Sequence, residues 1–397
     1  MNRAADFDVI IVGAGLVGAS LACALRATDL DLALVEAGPP PQPVRDGWDS
    51  RLYAISPGSV DFLDAIGAWQ RIDLERICPV TDMEIFGDDG RARLDFSAYA
   101  AGVAELCSIV EAGALARALW ACLAELGGVE LVCPARCAAL DWSGECARLQ
   151  LEDGRELRGK LIVAADGAGS WVRACSAIRV TTLAYRQTAV VANFSCAEPH
   201  RDTARQWFRA DGVLALLPMP GARVSMVWST SEQHATELLA LSTEDLAVQV
   251  ADASGACLGA LTLVTPPRAF DLSLQKVDRL IAPRLALAGD AAHNVHPLAG
   301  QGVNLGLQDA RELARVLAGR GVQTDCGDYR LLRRYERARR EDILTLQFTT
   351  HALQRLFAAD GRTAGWLRNT GLALANHLPP LKHALIERAL GRERSFA

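Results

Sequence analysis

Near its N-terminus the chain sets a short run rich in β-branched side chains, Phe7–Val12 (FDVIIV), as a buried parallel strand should be. Directly after it stands Gly13-Ala-Gly15-Leu-Val-Gly18. An apolar stretch from Ala19 to about Ala27 then reads as a helix, and Asp31–Val35 reads as a second strand ending in Glu36. Strand, glycines, helix, strand and terminal acid in this order predict a βαβ dinucleotide-binding unit. Gly13 permits the tight turn, Gly15 lets backbone approach a pyrophosphate, and Gly18 lets the helix pack closely on the strand. The helix N-terminus offers N–H groups and partial positive charge to phosphates. Glu36, 18 residues after Gly18, can accept bonds from ribose hydroxyls, which favours FAD or NAD over NADP.

Two further stretches share the strand-then-turn grammar. Leu285–Ala288 runs into Gly289-Asp290-Ala-Ala-His293-Asn-Val-His296-Pro297-Leu298-Ala-Gly300-Gln301-Gly302-Val303-Asn304, with a helix through Ala310–Leu317. Gly300 and Gly302 allow a flat ligand to lie on bare backbone, and Asp290 at a strand end can bind a chain of hydroxyls. Leu161–Ala165 is followed by Asp166-Gly167-Ala-Gly169-Ser170, which on its own also reads as an ordinary turn. His293 and His296 sit in the second glycine stretch with no carboxylate partner near in sequence, so positioning is expected of them.

Composition then removes several classes. With 397 residues, half of them hydrophobic and 22% charged, the chain can bury a large core in two or three units. A net charge of −6 argues against nucleic acid as a partner. That charge is uneven, +7 over residues 311–397 and −13 over residues 1–310, so the basic end suits an acidic or membrane partner. Eleven cysteines, an odd number, suit a reduced intracellular protein. Cys133, Cys137 and Cys146 match no zinc spacing, and no metal is expected. Val9–Leu25 is uncharged for 17 residues but is short for a span, carries three glycines and follows Asp6 and Asp8, so neither a membrane helix nor a signal peptide is expected.

Taken together, the GxGxxG, DG and GD stretches resemble those of the class A flavoprotein aromatic hydroxylases, and most closely the ubiquinone-biosynthesis hydroxylases. Arg51-Leu-Tyr-Ala-Ile-Ser56, Gly67-Ala-Trp69, Ile109-Val-Glu111, Leu216-Leu-Pro218, Val227-Trp228, Tyr335-Glu-Arg-Ala-Arg339, Leu353–Phe357 and Pro380-Leu-Lys382 extend the resemblance over nearly the whole chain. Ala112 and Gly113 depart from it, standing where the family commonly has polar residues. The resemblance implies an α/β fold: a Rossmann-like FAD-binding domain, an antiparallel-sheet substrate domain and C-terminal helices. It places the FAD-binding domain at residues 1–75, 104–180 and 277–342, the substrate sheet at 76–103 and 181–276, and a helical region at 343–397. It implies FAD held by Gly13, Gly15, Gly18, Glu36, Arg51, Asp166, Gly289 and Asp290, with Pro297, Gly300, Gln301, Gly302, Val303 and Asn304 along the flavin ring. His296, Pro297 and Leu298 are the pocket candidates, and no side chain is singled out as a catalyst.

The chemistry so implied is flavin-driven. NAD(P)H, a transient reductant, reduces FAD, O2 forms a flavin C4a-hydroperoxide, and one oxygen passes to the ring of a polyprenylated phenol. Water must be excluded. Cytoplasmic location is expected, with peripheral contact at the inner membrane face and to other ubiquinone-biosynthesis proteins through the basic C-terminal region. Two other readings stay open: another FAD enzyme of this fold, an aromatic hydroxylase or prenyl reductase, and a non-catalytic flavin-binding scaffold.

For the remainder, residues 39–50 read as a loop and Glu105–Leu126 as helix. Met83–Phe96 alternates around Gly87–Gly90, and Ala189–Phe194, Arg205–Arg209, Gly212–Leu217 and Arg223–Ser229 form a strand series with turns at Asp211-Gly212 and Pro220-Gly221. Thr230–Leu258 reads as one helix, and Ile343–Phe357 as a helix with apolar residues at helical spacing.

Overall fold

The computed structural model describes residues 5–42, 47–87, 92–142, 144–209, 211–294, 302–358 and 390–391, with the side chains of 126 and 352–358 excepted. A parallel sheet carries the N-terminal motif. Its strands run in the order Leu285–Leu287, Glu156–Ala164, Phe7–Val12, Leu32–Val35, Glu130–Val132, and Ile281–Ala282 adds an antiparallel edge. Val9, Ile10, Ile11, Leu34, Ile162 and Val163 are wholly or almost wholly buried, which explains why these strands are continuous apolar runs rather than alternating ones. The first strand has the limits expected of it, and the first helix runs Leu16–Leu25, starting inside the glycine motif.

Against this layer stands a nine-stranded sheet. Its backbone is Val180–Cys196, 17 residues long, which pairs antiparallel with Arg223–Ser231, Arg268–Val277 and Leu261–Leu263. Thr203–Arg209, Gly212–Met219 and Arg223–Ser231 form consecutive hairpins that turn at the two expected places. Gly212 and Gly221 hold φ of 136° and 74° there, backbone that only glycine adopts easily. The hairpin Asp82–Phe86 and Arg93–Ser97 forms one edge of the sheet, and the short strand His293–Asn294, antiparallel to Arg268–Val277, forms the other. One face of it is covered by Glu232–Ala240 and Thr243–Ala253, whose Leu238, Leu246 and Val250 meet Phe194 and Trp228 in a second core.

Three expectations are corrected. Glu105–Leu126 is not one helix: Cys107–Glu111 is a fully buried strand between Leu52–Ile55 and Ile77–Val80, and the helix is Ala112–Leu126. Helical propensity yields there to sheet pairing of a β-branched centre, Ile109-Val110. Thr230–Leu258 contains two helices, because Ser242 leaves helical backbone and accepts from the Asp245 N–H as an N-cap. The helix after the second glycine stretch begins at Gly302, not Ala310, and runs to Ala318.

The C-terminal helix, Tyr329–Ala358, is bolted to the parallel sheet. Tyr335 donates to the Leu287 carbonyl at 2.8 Å, Glu336 accepts from the Leu280 N–H at 2.9 Å, and both side chains are buried. These bonds give the Tyr335–Arg339 stretch a physical task. No helix among the described residues is long and apolar enough to cross a membrane.

Candidate functional site

Register brings the motifs together. Leu287, Ala164, Val12 and Val35 stand side by side across four parallel strands. The residues that follow them, Gly289-Asp290, Asp166, Gly13 and Glu36, therefore leave the sheet along one carboxyl edge, a line of about 14 Å. Crevices outside this edge are where open α/β sheets bind ligands.

The glycines divide into two kinds. A Cβ on Gly13, whose φ is 99°, would lie 2.4 Å from the Ala165 carbonyl oxygen, and one on Gly18 would lie 1.9 Å from that of Gly13. Gly289 and Gly306 close on Val17, where a Cβ would fall 2.9 and 2.6 Å from its Cγ2. These four serve packing, and they seat the Gly289 turn and the Gly302–Ala318 helix against the first helix. Gly15 differs. Its φ of −67° suits any residue, and a Cβ there would meet no atom within 4 Å among the described residues. Packing does not ask for glycine at this position. Gly15 also opens a helix with no side-chain cap and no acid in its first turn. Bare backbone before an uncapped helix N-terminus fits a pyrophosphate.

Acids flank that end on both sides. Glu36 accepts from the N–H groups of Ala14 (2.7 Å) and Gly38 (2.8 Å), one on each oxygen, so it braces the glycine loop and keeps lone pairs for a ligand hydroxyl. The Trp120 indole N–H donates to the Ala14 carbonyl at 3.1 Å and fixes the next peptide, Ala14–Gly15. Asp290 is exposed, yet crowding by protein raises its carboxyl pKa, against the attraction of His293 and Arg51. Asp166 is turned to its own loop, accepting from the Ser170 hydroxyl (2.5 Å) and the Val172 N–H (3.0 Å), which caps the short helix Trp171–Ala174.

Arg51 reaches the same region from a braced loop. Its guanidinium lies 5.3 Å from the Tyr53 ring centre and 5.7 Å from that of Phe270 on the large sheet. Asp49 accepts from the N–H groups of Arg51 (3.0 Å) and Gly113 (3.1 Å), while its carbonyl accepts from the Asn193 amide at 2.8 Å. The buried Glu111 accepts from the Asp49 N–H and from Arg76, which anchors the loop. Asn304 is committed to the same strand: its amide accepts from the Ser56 N–H (2.9 Å) and donates to the Ala54 carbonyl (2.8 Å). Gly302 opens its helix and Val303 is half-buried against the main core. His296, Pro297, Leu298, Gly300 and Gln301 lie outside the described residues.

His293, with no carboxylate partner near it in sequence, meets one in the fold: Asp309, 16 residues on, at 2.6 Å. Asp309 is wholly buried and also accepts from the Gly289 N–H (3.0 Å) and from Arg339 (2.8 Å). Burial pushes its carboxyl up, but His293 and Arg339 together hold it below the ordinary value. Arg339 further donates to the Leu305 carbonyl and pairs with Asp342. The turn that presents Asp290 is thereby tied to two helices. Separation in sequence hid this network: its members are spread from residue 289 to residue 342.

One other group of potential metal ligands comes together among the described residues, Cys78, His200 and Asp202. Its histidine is already engaged: Nε2 lies 2.9 and 2.7 Å from the carbonyls of Met219 and Gly221, and Nδ1 accepts from the Asp202 N–H. These bonds close turns of the large sheet.

Comparison with known proteins gives the family. Residues 6–346 match the family described as FAD binding domain. The chain is 37% identical over 387 residues to the ubiquinone hydroxylase UbiL of Rhodospirillum rubrum, across 97% of this chain and 89% of that protein. It is 32% identical to the 3-demethoxyubiquinol 3-hydroxylase of Escherichia coli, across 97% and 98%. PqsL of Pseudomonas aeruginosa, described as a probable FAD-dependent monooxygenase, aligns with a TM-score of 0.77 at 26% identity, over 92% of this chain and 99% of that one.

Proposed function

Because the chain belongs to the FAD binding domain family and is an FAD-dependent monooxygenase, we propose that it hydroxylates the aromatic ring of a polyprenylated phenol in ubiquinone biosynthesis, with NAD(P)H as reductant and O2 as oxidant. The observation that carries the reading is the shared carboxyl edge, where bare Gly15, Glu36 and the exposed Asp290 stand in one line. Gly15 and Glu36, on the loop that Gly13 and Gly18 shape by close packing, would hold the ADP half of FAD, Asp290 the ribitol chain, and Gly302 and Val303, seated by the packed Gly289 turn, the approach to the flavin. Bound FAD supplies the oxygen-activating redox chemistry.

The remaining tasks fall to side chains. Asp309, with Arg339 and His293, holds the Gly289 turn that carries the exposed Asp290. Glu111 and Asp49 hold the Arg51 loop, and the Asn193 amide couples that loop to the large sheet. Asp166 and Asn304 act through backbone, setting the loops on either side. We assign residues 1–75, 104–180 and 277–342 to the flavin-holding part and 76–103 and 181–276 to the part that takes the phenol; of the helical region expected at 343–397, residues 359–389 and 392–397 lie outside the described residues. An isoprenoid tail gains about 0.8 kcal/mol per methylene buried, so it dominates substrate affinity. We place the enzyme in the cytoplasm, in peripheral contact with the membrane that holds such a substrate.

Quinone profiling of a strain lacking the protein tests the substrate assignment. The strain should accumulate a prenylated phenol short of one ring hydroxyl and regain ubiquinone on complementation. An unchanged quinone pool would refute the assignment.

A further inference from the structure

The C-terminal helix turns an unusual face outward. Arg330, Arg333, Arg334, Arg337 and Arg340 are all exposed, as are Leu344 and Phe348. At 100° per residue these seven side chains fall within an arc of about 120° and extend along about 27 Å of helix. Glu341 is the one acid in that arc among the described residues. Asp342 points elsewhere and pairs with buried Arg339, and Glu336 is turned inward to Leu280. Arg330, Arg334 and Arg340 have no ion-pair partner among the described residues, and Arg333 stands 3.9 Å from Glu336. Phe348 leaves 75% of its surface in solvent, and Leu344 leaves 38%. Beyond the helix, the β-strand that sets Tyr185 against His351 exposes Leu183, two residues away and 47% accessible.

We propose that this face is a docking surface for an anionic lipid bilayer. The arginine row meets acidic headgroups, while Leu344 and Phe348 enter the interface at its end. A cationic row that runs into exposed aromatic and aliphatic side chains is the pattern of helices that lie in the membrane plane. Its sign is opposite to that of the chain as a whole, −6, so the attraction is confined to this face and sets one orientation on the surface. The net negative remainder repels a nucleic acid. The surface stands on exposure and charge, and it rests on the proposed lipid-tailed substrate only for its purpose.

The test is co-sedimentation of the full-length, FAD-loaded protein with phosphatidylcholine vesicles, with and without phosphatidylglycerol, at low and high salt. Binding should require phosphatidylglycerol and weaken with salt. The triple variant Arg334→Gln, Arg337→Gln, Arg340→Gln should lose up to roughly fivefold in affinity per arginine, and Phe348→Ser should weaken binding at every salt concentration. Vesicle binding that is absent, insensitive to salt or unchanged in these variants overturns the proposal, as does a salt-sensitive self-association or nucleic-acid binding that uses the same arginines. Turnover of a short-chain, water-soluble phenol should be equal in all variants. Its absence in the parent protein would count against the hydroxylase reading and leave the docking surface to be judged by the vesicles.

Discussion

Replacing Asp309 by alanine should cost about 3–5 kcal/mol of stability, because it leaves a buried guanidinium without its counter-charge. Asp309 is wholly buried, Arg339 is 4% exposed and His293 2%, so water cannot take over the lost partner. The variant also orphans the Gly289 N–H and frees the turn before Asp290. Urea unfolding of the variant and parent apoproteins measures the difference, and a loss under about 1 kcal/mol would show that the network contributes little. The sign of the pH dependence follows from the lowered Asp309 pKa. A carboxyl with a depressed folded-state pKa contributes fully above its unfolded value and loses that contribution as pH falls through the folded one. The parent should therefore lose this part of its stability only in acid, and Asp309→Asn should lack that acid-dependent part.

Gly15→Ala should separate folding from cofactor retention. Its Cβ meets no described atom within 4 Å, so the apoprotein should lose only about 1 kcal/mol, the price of alanine at an N-cap. Its FAD affinity should fall on the order of tenfold or more, a change of at least about 1.4 kcal/mol, because the methyl group stands in the pyrophosphate path proposed above. Gly18→Ala is the contrast: its Cβ would lie 1.9 Å from a carbonyl oxygen, so folding itself should suffer. Asp290→Ala should strip FAD from a folded protein. Flavin absorbance and fluorescence titration read all three. Full flavin occupancy in the Gly15 and Asp290 variants would place the cofactor elsewhere.

The sequence disclosed those parts of the fold whose signal is local. Phe7–Val12 carries its strand identity in its own side chains, and Gly212 and Gly221 mark hairpin turns because their backbone demands glycine. Cys107–Glu111 was hidden because its partners lie 27 or more residues away in Leu52–Ile55 and Ile77–Val80, and the helix behind it dominates the local pattern. The break at Ser242 has a local signal, a serine three residues before Asp245, but the helical pattern on both sides outweighs it. At the site, the motifs mark strand ends that the sheet register brings to one edge. They did not predict that Asp166, Asn304 and Glu36 make bonds within the protein, since a side chain that braces a loop and one that meets a ligand are the same residue in a sequence. The Asp309–His293–Arg339 network needed three dimensions for the same reason: no spacing rule joins residues 293, 309 and 339.

The central claim is oxygen transfer from dioxygen to a prenylated phenol at this site. Incubating the purified yellow protein with NAD(P)H, a polyprenylated phenol and isotopically labelled dioxygen, followed by mass spectrometry of the quinol product, tests it most directly. One labelled oxygen atom on the aromatic ring, with NAD(P)H consumption that requires both oxygen and phenol, is the predicted result. A protein that binds no flavin, or that returns the phenol unlabelled, would contradict it.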